Sequence, residues 1–300
     1  SALAIVSFTM MIAYFITDVM GPLEAPLTTS GQIVYLEDGT YLSADSLSKI
    51  VADKTFSVEN IERGNTYTIN CTDKDGNVTT KECTVNSTVK GLGWTSSEYG
   101  IFSGAYGYIN VFLLMLFFGG IILDRMGIRF TGLLSASLMV IGAGIKFYAV
   151  SDLFIGSGFE AWLNSWWVAL PATAKLACFG FMIFGCGCEM AGTTVSKAIA
   201  KWFKGKEMAM AMGLEMSIAR LGVFAAMWLS PFVYDKFNNV ISAPVAFGAA
   251  LLCIGLIFYT VFVFMDRKLD KELTAAGEVT EESSEEEFKF SDLGKIFTSK

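Results

Sequence analysis

Two residues of opposite charge lie deep in apolar sequence, Glu189 within "FGCGCEMAGTT" and Arg220 within "EMSIARLGVF". A carboxylate in such surroundings can accept from an ammonium, and a guanidinium offers a forked pair of donors to a carboxylate. Together they could hold the two ends of a small zwitterion. The same charges could instead meet each other, as a salt bridge that merely fastens one helix to the next. Tyr14, Tyr106 and Asn110 stand in other apolar blocks and could line the same cavity, or simply pack. Glu215 falls on another helical face from Arg220 and is left unassigned.

A second constellation is the turn "GGIILDRMGIR", which fits G-x-x-x-D-R-x-G-x-R through Gly120, Asp124, Arg125, Gly127 and Arg129. Glycines at that spacing permit a tight turn and a close approach of helices. The plainest account of the charges is a basic loop between two membrane spans.

These residues need elements to position them, and composition says which. Of 300 residues 53% are hydrophobic and none is histidine. A soluble domain of this length would need more polar cover. The apolar residues are grouped into blocks near 2–22, 98–121, 130–150, 174–199, 208–233 and 243–266. Each approaches or exceeds the roughly 20 residues that cross a bilayer as helix. An all-α membrane protein with six transmembrane helices is expected. Counting from the inner ends of their blocks, Glu189 and Arg220 would both lie roughly 15–18 Å in, near the midplane.

Lysine and arginine set the orientation. Arg125 and Arg129 follow the second block, Lys201, Lys204 and Lys206 the fourth, and Arg267 and Lys268 the sixth. The 151–173 loop has no basic residue. The second, fourth and sixth blocks therefore end in the cytoplasm, and the N-terminus is cytoplasmic.

Four regions follow: a first transmembrane helix over 1–26, an extracytoplasmic insert over 27–95, helices two to six over 96–266, and a cytoplasmic acidic linker over 267–300. In the insert, "TYTIN" and "NVTTKECTV" alternate on either side of "DKDG" and read as a β-hairpin. Cys71 and Cys83 lie on those runs, where an oxidising exterior would permit a disulfide. Asn70, Asn77 and Asn86 each open an N-x-T triplet. Trp162, Trp166 and Trp167 in the 151–173 loop suit a short interfacial helix. Ser1 opens directly on the first span and the chain stops in a charged stretch, so a second, C-terminal half is expected to follow.

The charged turn resembles the signature between the second and third helices of the major facilitator superfamily. That resemblance implies the N-terminal six-helix half of a twelve-helix fold, with the turn acting as a cytoplasmic latch that opens as the cavity turns inward. Residues 187–222 narrow it. A glutamate after glycines in the fourth block, "WFKGKE" in the turn, and "GL" and "ARLG" in the fifth block are similar to the branch containing the lysosomal dipeptide transporter and its bacterial relatives. The likeness covers all six blocks but not the insert. It implies that Arg220 takes the carboxylate and Glu189 the ammonium of a dipeptide. In the first block "TDVMGPLE" keeps an aspartate and a proline at altered spacing, and on that basis Asp18 joins the substrate residues.

The function expected is secondary active or facilitative transport of dipeptides or short peptides by alternating access. Alternatives are transport of another organic anion or zwitterion, and a receptor or scaffold on the same fold. An intramembrane serine protease is excluded because no histidine can serve as its base. No cofactor, metal or nucleic acid is expected. The expected partners are the substrate, the bilayer and the C-terminal half, with protons joining them where transport is coupled rather than facilitative, and with a bacterial inner membrane first and a lysosomal membrane second.

Overall fold

The computed structural model describes residues 2–36, 41–43, 66–72, 78–203 and 206–275. The acidic run "EVTEESSEEE", the Asn77 triplet's first residue, Lys204 and the "DKDG" turn lie outside them. Helix α1 (Ala2–Asp18) leads through a 3₁₀ turn (Gly21–Leu23) into α2 (Glu24–Thr28). Four strands follow, β1 (Ser30–Leu36), β2 (Tyr41–Ser43), β3 (Thr66–Thr72) and β4 (Val78–Leu92). Then come α3 (Ser96–Phe112), α4 (Met115–Ala149), the short α5 (Gly158–Asn164), α6 (Ala172–Trp202), α7 (Lys206–Lys236) and α8 (Ser242–Ala275).

In place of a lone hairpin, the insert forms a four-stranded antiparallel sheet of order β2-β1-β4-β3. Its entering and leaving strands are neighbours, with Ser30 opposite Leu92. Below them the Gly93 and Trp94 amides donate to the Thr29 and Leu27 carbonyls at 3.0 and 2.9 Å. The sheet is thereby stitched to the bundle where α2 ends and α3 begins. The buried Trp94 indole donates to the Thr173 hydroxyl at 2.9 Å, tying the same corner to the start of α6. The Thr95 hydroxyl and Glu98 carboxylate then close a capping box that starts α3.

The strand register separates the two insert cysteines. Cys71 is opposite Thr79 and Cys83 is opposite Tyr67, four residues along the ladder. At about 3.4 Å per residue that offset is roughly 13 Å, beyond the span of a disulfide.

Among the described residues, five helical stretches are long and apolar enough to cross a bilayer: Ala2–Thr28, Met115–Ala149, Ala172–Trp202, Glu207–Lys236 and Ser242–Glu272. The block expected over 98–121 is not one helix. It breaks after Phe112, where Leu114 adopts a left-handed conformation (φ 48°, ψ 48°), and resumes as the start of α4. No proline or glycine marks that break, so an unbroken apolar run gives no warning of it.

Helix α4 is itself broken at Gly127 (φ 73°, ψ 171°), a backbone that an L side chain rarely adopts. Contacts along α6 reveal the reversal there. Before it, Phe102 stacks on Phe181, Tyr106 reaches Glu189 and Asp124 meets Lys197. After it, Ser135 lies against Gly187 and Lys146 comes back to Phe181. The chain thus runs along α6 twice, in opposite senses. Glycines permit the second pass, because a Cβ on Gly180 would lie 2.8 Å from the Gly142 carbonyl and one on Gly187 2.7 Å from that of Ser135. Elsewhere α1 packs along α7 and α8, and α8 along α4.

Candidate functional site

Glu189 and Arg220 are carried by α6 and α7, which share the end where the chain passes between Trp202 and Lys206. By helical rise each stands about 20 Å from that end, so they lie at a common depth. They do not pair with each other among the described residues. Glu189 accepts a hydrogen bond from the Tyr106 hydroxyl at 3.0 Å. The Arg220 guanidinium lies over the Tyr14 ring, 5.5 Å from its centre.

Each contact depends on a close helix crossing. A Cβ on Gly185 would sit 2.6 Å from the Tyr106 carbonyl and 2.9 Å from the Asn110 amide nitrogen, so this glycine brings α3 against α6. Gly222 plays that part where α7 meets the Met11 carbonyl of α1. Asn110 spends its amide on the carbonyl of Tyr106, at 2.9 Å, while its Oδ1 is buried without a hydrogen-bond partner.

Asp18 shares a recess with Tyr106, the residue that donates to Glu189. With Tyr99, Phe102, Ser103, Tyr106 and Phe181 it lines a recess of about 220 Å³ towards the sheet end of the bundle. Asp18 also lies within the electrostatic reach of Arg220. The six residues singled out from sequence therefore fall around one region, bordered by α1, α3, α6 and α7 and open where Arg220 is exposed. Glu215 is buried, one turn and a half before Arg220 on α7.

At the other end, Asp124 pairs with Lys197 of α6 at 3.2 Å, the carboxylate exposed and the lysine half-buried. Arg125 is exposed. Arg129, by contrast, is part of a dense network. Its Nε meets the fully buried Asp266 at 2.7 Å, and its Nη2 reaches Asp270. Lys201 bridges the same two carboxylates at 3.0 and 2.8 Å, and the Trp202 indole donates to Asp266 at 3.1 Å. Tyr259 completes the junction by donating to the Ile128 carbonyl at 3.0 Å. The signature thus splits into an exposed part (Asp124, Arg125) and a part that locks α4, α6 and α8 together (Arg129). Gly127 makes the turn. Gly120 has no atom near where its Cβ would be, and the close approach falls to Gly119, whose Cβ would touch the Met190 side chain at 3.1 Å.

Three participants escaped the sequence reading: Asp266, Asp270 and Lys146. The two aspartates are one helical turn apart on α8, a spacing that puts both on one face. They were overlooked because the apolar block ends at Asp266, whereas the helix runs on to Ala275. Lys146 lies near the end of an apolar block, where a lysine would be expected to reach water; its side chain is fully buried instead.

The bundle, its charged turn and its long apolar helices define a class. The chain matches the family model of the Major Facilitator Superfamily over residues 3–300 and belongs to that superfamily; it is a multi-pass membrane protein. Among characterised proteins it is similar to the lysosomal dipeptide transporter MFSD1 of Homo sapiens, with 27% identity over 187 residues, 58% of this chain and 36% of that protein. The Danio rerio protein of the same name is 31% identical over 199 residues, 62% of this chain and 39% of that protein. The Mus musculus protein is 29% identical over 177 residues, 56% and 34% of the respective lengths. The chain therefore spans well under half the length of these relatives.

Proposed function

We propose that this chain forms the N-terminal, six-traverse half of an alternating-access transporter whose substrates are dipeptides or short peptides. The observation that carries the reading is the placement of Glu189 and Arg220. They stand at one depth, each supported by a tyrosine and neither neutralised by the other. A strut would have joined them directly. Held apart, they offer an acceptor for a peptide's ammonium and a forked donor for its carboxylate, and recognition through the termini tolerates varied side chains. The relatives' printed activity, dipeptide transport, weighs the same way.

In this reading α3 with the first part of α4 makes the second of six traverses, and the N-terminus and charged turn face the cytoplasm. Asp124, Arg125 and Lys197 form the breakable latch, while the Arg129–Asp266 network stays closed and moves as one body. The C-terminal half covers the face on which Arg220 is exposed. Of the bacterial inner membrane and the lysosomal membrane, the relatives' names favour the second.

The test is dipeptide binding to the purified full-length protein, with Glu189→Gln and Arg220→Lys alongside. Both variants should fold and bind poorly, the second because a lysine keeps the charge without the planar fork. Wild-type binding that survives both changes would remove these residues from the site.

A further inference from the structure

Lys146 is a fully buried lysine with no part in the reading above. Its ammonium donates to the Ile16 carbonyl at 3.1 Å and lies 4.0 Å from the centre of the Phe181 ring, with Phe102 and Phe184 at 5.6 and 5.7 Å. Ile16 belongs to the last turn of α1, whose carbonyls have no amide partners within the helix. The ammonium therefore caps that helix end and meets the negative end of its dipole. Phe102 and Phe181 are also walls of the recess that Asp18 lines from the other side.

A buried ammonium is costly unless its charge is matched. One carbonyl and three ring faces offset part of that cost. Asp18, two residues beyond Ile16, and Cys188 of α6 both lie within its electrostatic reach. Arg220 acts on Asp18 from α7.

Resting on the transport reading, we propose that Lys146 is a positioning and charge-balancing residue of the substrate site. It fixes the end of α1 so that Asp18 faces the recess, and it cancels that carboxylate across the aromatic wall. With Glu189 and Arg220 the ionised groups then sum to zero, which suits a substrate that is itself a zwitterion. Removing Lys146 leaves the site one charge negative; removing Asp18 leaves it one charge positive.

The experiment is proteoliposome uptake by the full-length protein, competed by dialanine, a lysine-containing dipeptide and a glutamate-containing dipeptide. Lys146→Met should shift selectivity towards the cationic peptide by about tenfold, the scale of one unbalanced charge acting over about 12 Å at an effective dielectric of about 20. Asp18→Asn should shift it towards the anionic peptide. The double variant should return to near wild-type selectivity, and Lys146→Arg should stay close to wild type. Equal loss for all three peptides, with no rescue in the double variant, would reduce Lys146 to a strut and overturn the proposal.

If Lys146→Met does not fold, the Asp18→Asn shift and the double variant decide: a folded double variant supports the pairing, and an unfolded one overturns it. If the wild type carries no dipeptide, the transport reading fails separately. Melting of the single and double variants then judges the pair, with non-additive losses supporting it and additive losses refuting it.

Discussion

Replacing Asp266 by alanine is the most exacting test of how the charged end is held. The carboxylate is fully buried and accepts from Arg129 at 2.7 Å, Lys201 at 3.0 Å and Trp202 at 3.1 Å. Its loss leaves two cations and an indole without their shared acceptor. Breaking a buried ion pair from one side costs about 3–5 kcal/mol. Asp270 still reaches both cations, so the lower end of that range applies, about 3 kcal/mol, or roughly a hundredfold in the folding equilibrium. Asp266→Asn keeps an acceptor for Trp202 and should lose about half as much, since a neutral hydrogen bond has about half the strength of a charged one. The assay is unfolding of the detergent-solubilised full-length protein, followed by tryptophan fluorescence. Unfolding of Asp266→Ala within about 0.5 kcal/mol of wild type, the range of an ordinary surface change, would refute the network as a structural lock.

Tyr106→Phe removes the one hydroxyl seen to donate to Glu189 and should weaken peptide binding by about 0.5–1.5 kcal/mol, read by titration. Asp124→Asn breaks an exposed pair with Lys197, worth at most about 1 kcal/mol of stability. Uptake kinetics should therefore show a lower turnover with little change in apparent affinity, because the state balance and not the site is altered. Gly180→Ala forces a methyl against the Gly142 backbone and should cost about 1–3 kcal/mol in thermal unfolding. Replacing Cys71 and Cys83 by serine tests the backbone register, in which the two stand four residues apart along the ladder: an unchanged melting temperature is expected, and a marked drop would contradict that register.

Much of this was legible in the sequence because bilayers demand long apolar helices and penalise charge within them. The blocks gave the bundle, and Glu189 and Arg220 stood out as exceptions. What escaped depended on three-dimensional pairing. The break at Leu114 has no local signal, since leucine is an ordinary helix former. Arg129 read as a loop charge, because its partners Asp266 and Asp270 lie more than a hundred residues away and only the fold brings them together. Lys146 drew no reading from the sequence, because its cage of phenylalanines comes from two other helices. The strand alternation of the insert marked β3 and β4, but the cysteine offset depends on register, which the alternation does not specify to within two residues.

The central claim is that Glu189 and Arg220 read the two termini of a peptide. It is tested most directly by uptake of one dipeptide into proteoliposomes containing the full-length protein, in free, N-acetylated and C-amidated forms. The account predicts that the free peptide is carried, and that either block cuts uptake by about tenfold or more, as expected when a charge-assisted hydrogen bond of about 1.5–3 kcal/mol is lost. Blocked peptides carried as well as the free one would show that these charges do not read the termini.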